Sequence, residues 1–168
     1  MTNSTISNLR HVFTQFAAAN RHCFVYEQKA KDDKYPGVSN LFKALTRSYS
    51  IQAAGMLRTA GGIYDTPDNI RQAMVYGLGS LLTILPKYIK QVEADGSEPA
   101  HLALEWSQGS GQSQIDLLEK ALDQLEAGQD CSIDALHVCT ECGYLVEGEP
   151  PDNCPNCGVI KKLIPAIE

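Results

Sequence analysis

The sequence lacks both a long apolar run and the apolar core of a secretory leader. No stretch of about 18 uncharged apolar residues, the length that a membrane-spanning helix requires, occurs in its 168 residues. The first 13 residues are polar and include Arg10 and His11, unlike a signal peptide. We therefore expect no transmembrane helix, no membrane partner and a cytoplasmic location.

Clusters of basic residues are also missing. The formal net charge is −6, and residues 129–168 hold seven acidic residues against two basic ones. Because phosphate backbones bind to clustered Lys and Arg, we expect no nucleic-acid partner. The acidic C-terminal segment favours a protein partner with a basic patch. No phosphate-binding glycine loop or Ser-His-Asp arrangement stands out, so nucleotide and hydrolase chemistry are not predicted.

Four long segments have the apolar spacing of helices. Glycine and proline interrupt the spacing between them, as expected for connecting turns. Thr66 is predicted to cap the third helix, and Pro86 is predicted to kink it. Four consecutive long helices predict an antiparallel bundle over residues 1–128. The predicted helices cover about 7–30, 39–60, 66–92 and 97–128.

The C-terminal segment carries two Cys-x-x-Cys pairs. They are formed by Cys139, Cys142, Cys154 and Cys157. Each pair supplies two thiolates from one tight turn, and four thiolates form a tetrahedral cage for one metal ion. Gly143 and Gly158 follow the pairs, where positive φ would let backbone N–H groups face the sulfurs. The sequence predicts one metal per chain, iron or alternatively zinc, because both accept tetrahedral sulfur.

The composition changes where the helical pattern ends. Residues 129–136 form a short polar stretch, and turns rich in Cys, Gly, Pro and Asn follow it. Two close cysteine pairs in an otherwise cysteine-poor chain favour metal binding in a reducing compartment over disulfides. We therefore predict a helical bundle over 1–128, a linker over 129–136 and a metal-binding domain over 137–168.

The cysteine pairs, Tyr144 and the roughly dozen residues between the pairs resemble the rubredoxin-like domain of rubrerythrins. Upstream, residues 29–35 and the pair Leu41-Phe42 resemble the first helical hairpin of that family. Residues 69–88 resemble its third helix. The resemblance implies an all-α, ferritin-like four-helix bundle followed by a small rubredoxin-like domain. It also implies a homodimer.

The sequence departs from the rubrerythrin pattern in the bundle. Rubrerythrins hold two irons there with glutamates and two Glu-x-x-His pairs, and they reduce peroxide. The positions that correspond to these ligands are occupied here by Phe16, Tyr49, Gln52, Gly77, Ser80, Gly111 and Gln114. Segments 1–26, 38–64, 70–92 and 106–115 contain no Asp or Glu at all. We therefore predict a degenerate member without a di-iron centre, without peroxidase activity and without independent catalysis.

Three functional hypotheses follow. The first is an electron-transfer protein with a mononuclear four-cysteine iron centre, in which the repacked bundle serves dimerisation or partner docking. Its partner would be a redox protein or a larger oxidoreductase complex. The second is a non-redox adaptor or subunit whose four-cysteine domain holds structural zinc. The third is a bundle whose neutral polar core binds a small uncharged ligand.

Overall fold

The computed structural model describes residues 1–167, which are mainly helical. The helices are α1 (Asn3–Asp32), α2 (Pro36–Thr59), α3 (Thr66–Gln72), α4 (Ser80–Asp95) and α5 (Glu98–Glu126), with a π-helical segment at Ala73–Gly79. Two strands follow, β1 (Leu136–Val138) and β2 (Leu145–Glu147), and then a 3-10 turn at Lys161–Leu163. Within the described residues, none of the helices combines the length and apolarity needed to cross a bilayer. The chain divides into two compact units, of which one is Met1–Tyr64 and the other begins at Asp65.

The first unit is a helical hairpin of α1 and α2. Buried or half-buried positions recur along α1 at alternating intervals of three and four, as in a two-helix seam. They include Ile6, Leu9, Phe13, Phe16, Asn20, Cys23, Glu27 and Ala30. Across the seam, the Asn20 amide donates to the Thr46 carbonyl at 2.6 Å. The Tyr26 and Phe42 rings meet edge to face with centroids 5.6 Å apart. These contacts fix the register of the hairpin.

The third predicted helix is divided by a π-helical segment. Thr66 is its first residue, and the preceding Asp65 is the cap, because its carboxylate accepts from the Asp68 N–H at 3.0 Å. The prediction of Thr66 as the cap is therefore wrong by one residue. Pro86, where a kink is predicted, lies inside α4, and the departure from α geometry occurs before it at Ala73–Gly79. A Cβ at Gly79 would lie 3.0 Å from a backbone oxygen of the π-helical segment, which favours glycine there.

Helix α5 is the central element of the second unit. It packs against α3, the π-helical segment, α4 and β2. Gly111 allows α4 to approach closely, because a Cβ there would lie 2.9 Å from the Leu82 side chain. At the other end of α5, Glu126 forms an ion pair with Arg71, which also pairs with Asp68. One face of α5 thus contacts the neighbouring helices, while β2 contacts it from the small domain.

The small domain contains a two-stranded antiparallel hairpin, and residues 165–167 lie along the free edge of β1. His137 pairs with Val146 in the centre of the β1–β2 ladder. On its other edge, β1 bonds to later residues, with the Val138 N–H donating to the Pro165 carbonyl at 3.1 Å. Leu136, which the sequence placed in the linker, is the first residue of β1. The domain division over 1–128, 129–136 and 137–168 stays a prediction.

Candidate metal centre

The structure brings the four predicted cysteine sulfurs into one cluster. The Cys139 and Cys157 sulfurs are 3.6 Å apart, as are those of Cys142 and Cys154, and all four lie within 4.8 Å of one another. Corners of a sulfur tetrahedron with metal bonds of about 2.3 Å lie about 3.8 Å apart. A disulfide would require about 2.05 Å, so the spacing fits one metal ion and excludes sulfur–sulfur bonds. The site is rubredoxin-like and suits one iron or zinc ion.

Each cysteine pair lies on a tight turn whose glycine has positive φ. The Gly143 N–H donates to the Cys139 carbonyl at 2.9 Å, and the Gly158 N–H donates to the Cys154 carbonyl at 2.9 Å. Their φ angles are +74° and +78°, a region that only glycine adopts without strain. The predicted positive φ at both glycines is confirmed.

Backbone N–H groups face the sulfurs, as predicted from the turns. The N–H groups of Glu141 and Cys142 bond to the Cys139 sulfur. The Tyr144 N–H bonds to the Cys142 sulfur, and the Val159 N–H bonds to the Cys157 sulfur. Such bonds disperse negative charge on thiolates and therefore stabilise the ionised, metal-binding form.

The thiols differ in acidity because their surroundings differ. Burial raises the pKa of Cys142, but hydrogen bonds from the Tyr144 N–H, the Asn156 amide and neighbouring cysteines outweigh it and lower the pKa to about 7. Burial and three neighbouring sulfurs raise the pKa of Cys157 to about 12. Burial also raises the pKa of Cys139. Cys142 is therefore the first of these three thiols to become a ligand as pH rises.

The domain around the site has a very small core. Its cluster of buried apolar side chains consists of Cys139, Cys154 and Ile164, and Tyr144 and Val146 are among the half-buried side chains around them. Two of the three core residues are thus cysteines of the cluster. We therefore expect the stability of this domain to depend on metal binding.

Helix α5 holds the first cysteine turn through two buried serines. Ser110 is 4% exposed, and its hydroxyl donates to the Cys142 carbonyl at 2.6 Å. Ser113 is 8% exposed, and its oxygen accepts from the Leu145 N–H at 3.2 Å while its hydroxyl donates to the Ser110 carbonyl at 2.9 Å. Both serines therefore connect the helix to backbone groups beside Cys142.

The second cysteine turn reaches the same helix through Asn156. Its amide nitrogen donates to the Trp106 carbonyl at 2.8 Å and to the Ser110 hydroxyl oxygen at 3.0 Å. Its amide oxygen lies where Gly109 has no side chain, because a Cβ there would be 2.1 Å away. The contacts of Ser110, Ser113 and Asn156 had no signal in the sequence beyond the position of Asn156 between two cysteines.

The predicted bundle positions are distributed over both units. In the first unit, the rings of Phe16 and Tyr49 are in contact, with centroids 5.8 Å apart, and the Gln52 amide donates to the Ser48 hydroxyl at 3.2 Å. In the second unit, Gly77 is exposed, whereas Gly111 is buried against Leu82. Ser80 is exposed and Gln114 is half-buried. The loss of the di-iron ligands stays a prediction.

Comparison with known proteins identifies similar chains. Residues 137–163 match the family model described as "Rubrerythrin, rubredoxin-like domain". The chain is 25% identical over 181 residues to "Rubrerythrin-2" of Clostridium acetobutylicum, and the match covers 97% of this chain and 96% of that protein. The C-terminal match includes all four cysteines of the cluster.

Solved structures of nigerythrin share the fold. Three of them, described as mixed-valent, partially reduced and fully reduced, give TM-scores of 0.54, 0.55 and 0.54 at 19% identity. Each match covers 99% of this chain and 88% of the other. The predicted resemblance and the predicted fold class, a ferritin-like helical bundle followed by a rubredoxin-like domain, are confirmed.

Proposed function

We propose that this rubrerythrin-like chain is an electron-transfer protein that holds one iron at Cys139, Cys142, Cys154 and Cys157. The sulfur cluster carries the proposal, because it combines tetrahedral spacing with backbone N–H groups that face the sulfurs. Iron bound to four thiolates supplies one-electron chemistry. The four cysteines would hold the iron, and the N–H groups that face the sulfurs would disperse the negative charge that an added electron brings.

The states in which the similar nigerythrin structures were solved support a redox role. The nigerythrin structures are described by their redox states, and one is described as all ferrous. The curated relative is named a rubrerythrin. The ferrous state named for nigerythrin makes iron the first candidate for the cluster here.

We also propose that the helices hold no di-iron centre. The positions that resemble rubrerythrin ligands are aromatic, amide, hydroxyl or glycine positions, and four helical segments contain no carboxylate. A bridged pair of irons requires several carboxylates. Peroxide reduction of the rubrerythrin kind is therefore not part of the proposed function, and no independent catalysis is proposed.

The helices would instead serve dimerisation or docking of a redox partner in the cytoplasm. Three large apolar side chains of the first unit, Phe24, Leu41 and Ile51, are 43%, 58% and 62% exposed. Residues 1–64 hold eight basic and three acidic residues, whereas residues 65–168 hold six basic and seventeen acidic ones. The acidic unit carries the cysteine cluster, so it would attract a partner with a basic surface. The rate of electron exchange should then fall as salt is added.

The test is metal content combined with a redox cycle. The protein would be purified from iron-supplied cells, and iron and zinc per chain would be measured. Visible spectra would be recorded before dithionite, after dithionite and after return to air. About one iron per chain, with a colour that bleaches and returns, is the expected result.

A matched variant identifies the metal's location. Cys142→Ser removes one thiolate of the cluster, whereas Cys131→Ser removes a half-buried cysteine outside it. The first variant should lose the colour, and the second should keep it. Two or more further irons per chain would contradict the proposal for the helices, and a colourless zinc protein would contradict the redox role.

The small core of the domain favours a second candidate, a structural zinc site in a non-redox adaptor. Among the described residues, Ile164 is the one non-cysteine member of the buried apolar cluster that includes Cys139 and Cys154. Zinc would stabilise such a domain as well as iron does. In that case the function would reside on the protein surface, and the same metal analysis separates the two candidates.

A further inference from the structure

A groove between α1 and α2 combines basic side chains with exposed apolar area. Arg21 of α1 lines it together with Lys43 and Arg47 of α2, and the apolar side chains of Phe24 and Ile51 lie beside them. Phe24 and Ile51 are 43% and 62% exposed. The Arg21 guanidinium lies 4.8 Å from the centroid of the Phe24 ring. We call these five residues the basic groove.

The positive charges of the basic groove are not neutralised by neighbouring carboxylates. Among the residues that the structure describes, none of its three cations takes part in an ion pair. The carboxylates of the first unit lie near the end of α1, where Glu27 pairs with Lys31 and Asp33 pairs with Lys29. An unpaired basic surface with exposed apolar side chains is suited to an acidic partner.

Helix α5 carries a row of acidic residues of similar length. Its four members are exposed and follow one another at intervals of three or four residues, so they lie on one side of the helix. These residues, which we call the acidic stripe, are Asp116, Glu119, Asp123 and Glu126. With a rise of about 1.5 Å per residue, the stripe is about 15 Å long, and the α2 side of the basic groove, residues 43–51, is about 12 Å long.

Most of the acidic stripe is also without a positive partner. Within residues 1–167, Glu119 and Asp123 form no ion pair, whereas Glu126 pairs with Arg71. Lys120 is the one Lys or Arg of α5, and it pairs with Glu147. The stripe therefore presents negative charges that a basic surface of matching length can neutralise.

We propose that the basic groove of one chain binds the acidic stripe of a second copy, so that two equivalent contacts hold a dimer. Residues 1–64 hold eight basic and three acidic residues, a net charge of +5, and residues 65–168 hold six and seventeen, a net charge of −11. In a twofold dimer each groove meets the stripe of the other chain, so both contacts form at once. The inference rests on the proposed function, because it names the surfaces of the dimerisation proposed there.

The apolar side chains and the charges have different roles in this contact. Exposed ion pairs add little affinity, but they determine which surfaces meet, because like charges repel. Half-buried apolar side chains of α5 border the acidic stripe, namely Ile115, Leu118 and Leu122. Contact with Phe24 and Ile51 would remove further apolar area from water, which stabilises the dimer. We therefore expect affinity from the apolar area and selectivity from the charges.

The experiment combines two charge-reversed chains. The groove variant carries Lys43→Glu and Arg47→Glu, and the stripe variant carries Glu119→Lys and Asp123→Lys. Each variant is measured alone and in an equimolar mixture by sedimentation velocity over a range of protein concentrations. Each variant alone places like charges opposite each other, so its dimer dissociation constant should rise on the order of 100-fold over wild type.

The mixture is the decisive sample. The acidic groove of the first variant can meet the basic stripe of the second, and the unchanged groove of the second can meet the unchanged stripe of the first. A mixed dimer should therefore form from two chains that do not dimerise alone. A chain with Arg10→Glu and Arg58→Glu is the matched control, because it has the same change of charge at exposed helical positions outside the groove. It should dimerise like wild type.

The outcomes are separate from those of the metal analysis. A wild-type chain that stays monomeric would overturn the inference, and so would variants whose mixture forms no dimer although circular dichroism shows both to be folded. If a double substitution unfolds the chain, Arg47→Glu and Asp123→Lys are mixed as single variants. Metal content and the redox cycle are measured on the same samples. A monomer with one reducible iron would leave the electron-transfer proposal standing, whereas a dimer without reducible iron would overturn that proposal alone.

Discussion

The hydroxyl of Ser110 provides a direct test of how α5 holds the cysteine domain. It donates to the Cys142 carbonyl at 2.6 Å and accepts from the Asn156 amide at 3.0 Å, and the residue is 4% exposed. Ser110→Ala removes both bonds and leaves two polar groups without this partner in a shielded position. We therefore expect the variant to be less stable than wild type.

The magnitude follows from those two bonds. Leaving a buried donor or acceptor unsatisfied costs about 1–3 kcal/mol. Alanine regains about 0.5 kcal/mol of helix propensity over serine. The Asn156 amide keeps its bond to the Trp106 carbonyl, so the cost falls on the Cys142 carbonyl alone. The net loss is then about 0.5–2.5 kcal/mol, which corresponds to a Tm decrease on the order of 2–20 °C for a unit of about 100 residues.

Ser107 supplies the matched control for this variant. It lies on α5 three residues earlier and is exposed, and its hydroxyl donates to the Ala103 carbonyl of the same helix at 2.8 Å. Ser107→Ala should change stability by less than about 0.5 kcal/mol. Thermal and urea unfolding of the metal-loaded protein can be followed by fluorescence of Trp106, the only tryptophan of the sequence. Equal unfolding midpoints for Ser110→Ala and Ser107→Ala would contradict the assigned role of the Ser110 hydroxyl.

Three further predictions concern the cysteine domain. The pKa of Cys142 is about 7, so this thiol must lose a proton to bind metal below that pH, and metal affinity should rise with pH. In a chelator competition, the slope of the logarithm of the metal association constant against pH should therefore fall by about one across pH 7. Cys154 is 3% exposed, and Cys154→Ser should abolish metal binding and make residues 137–167 sensitive to limited proteolysis. The hydrogen bond from Lys120 lowers the pKa of Glu147 from its usual value of 4.5. The Lys120–Glu147 pair therefore stabilises the fold fully above pH 4.5, and this stabilisation is lost as pH falls and Glu147 becomes protonated. Lys120→Met should therefore flatten the acid side of the stability profile measured by circular dichroism, and an unchanged profile would contradict this.

The sequence predicted elements that depend on neighbours in the chain. Apolar spacing located four long helical stretches, and the structure extends the first to Asn3–Asp32 and the second to Pro36–Thr59. Two predictions about the third helix, its cap and the position of its irregularity, were wrong. Asp65 replaces Thr66 as the cap because a carboxylate accepts the Asp68 N–H, and the π-helical segment Ala73–Gly79 has no spacing signal of its own.

Each cysteine turn could be predicted from the sequence, because a Cys-x-x-Cys pair and its glycine form one tight turn whose geometry is local. The surroundings of the cluster depend on long-range packing. Ser110 lies 32 residues from Cys142 and 46 from Asn156 along the chain, yet its hydroxyl bonds to both residues. Serine and asparagine suit an exposed helix face, a turn or a buried contact equally well, so their spacing carries no long-range information. Packing of the small domain on α5 buries these groups, and burial requires that they bond to one another.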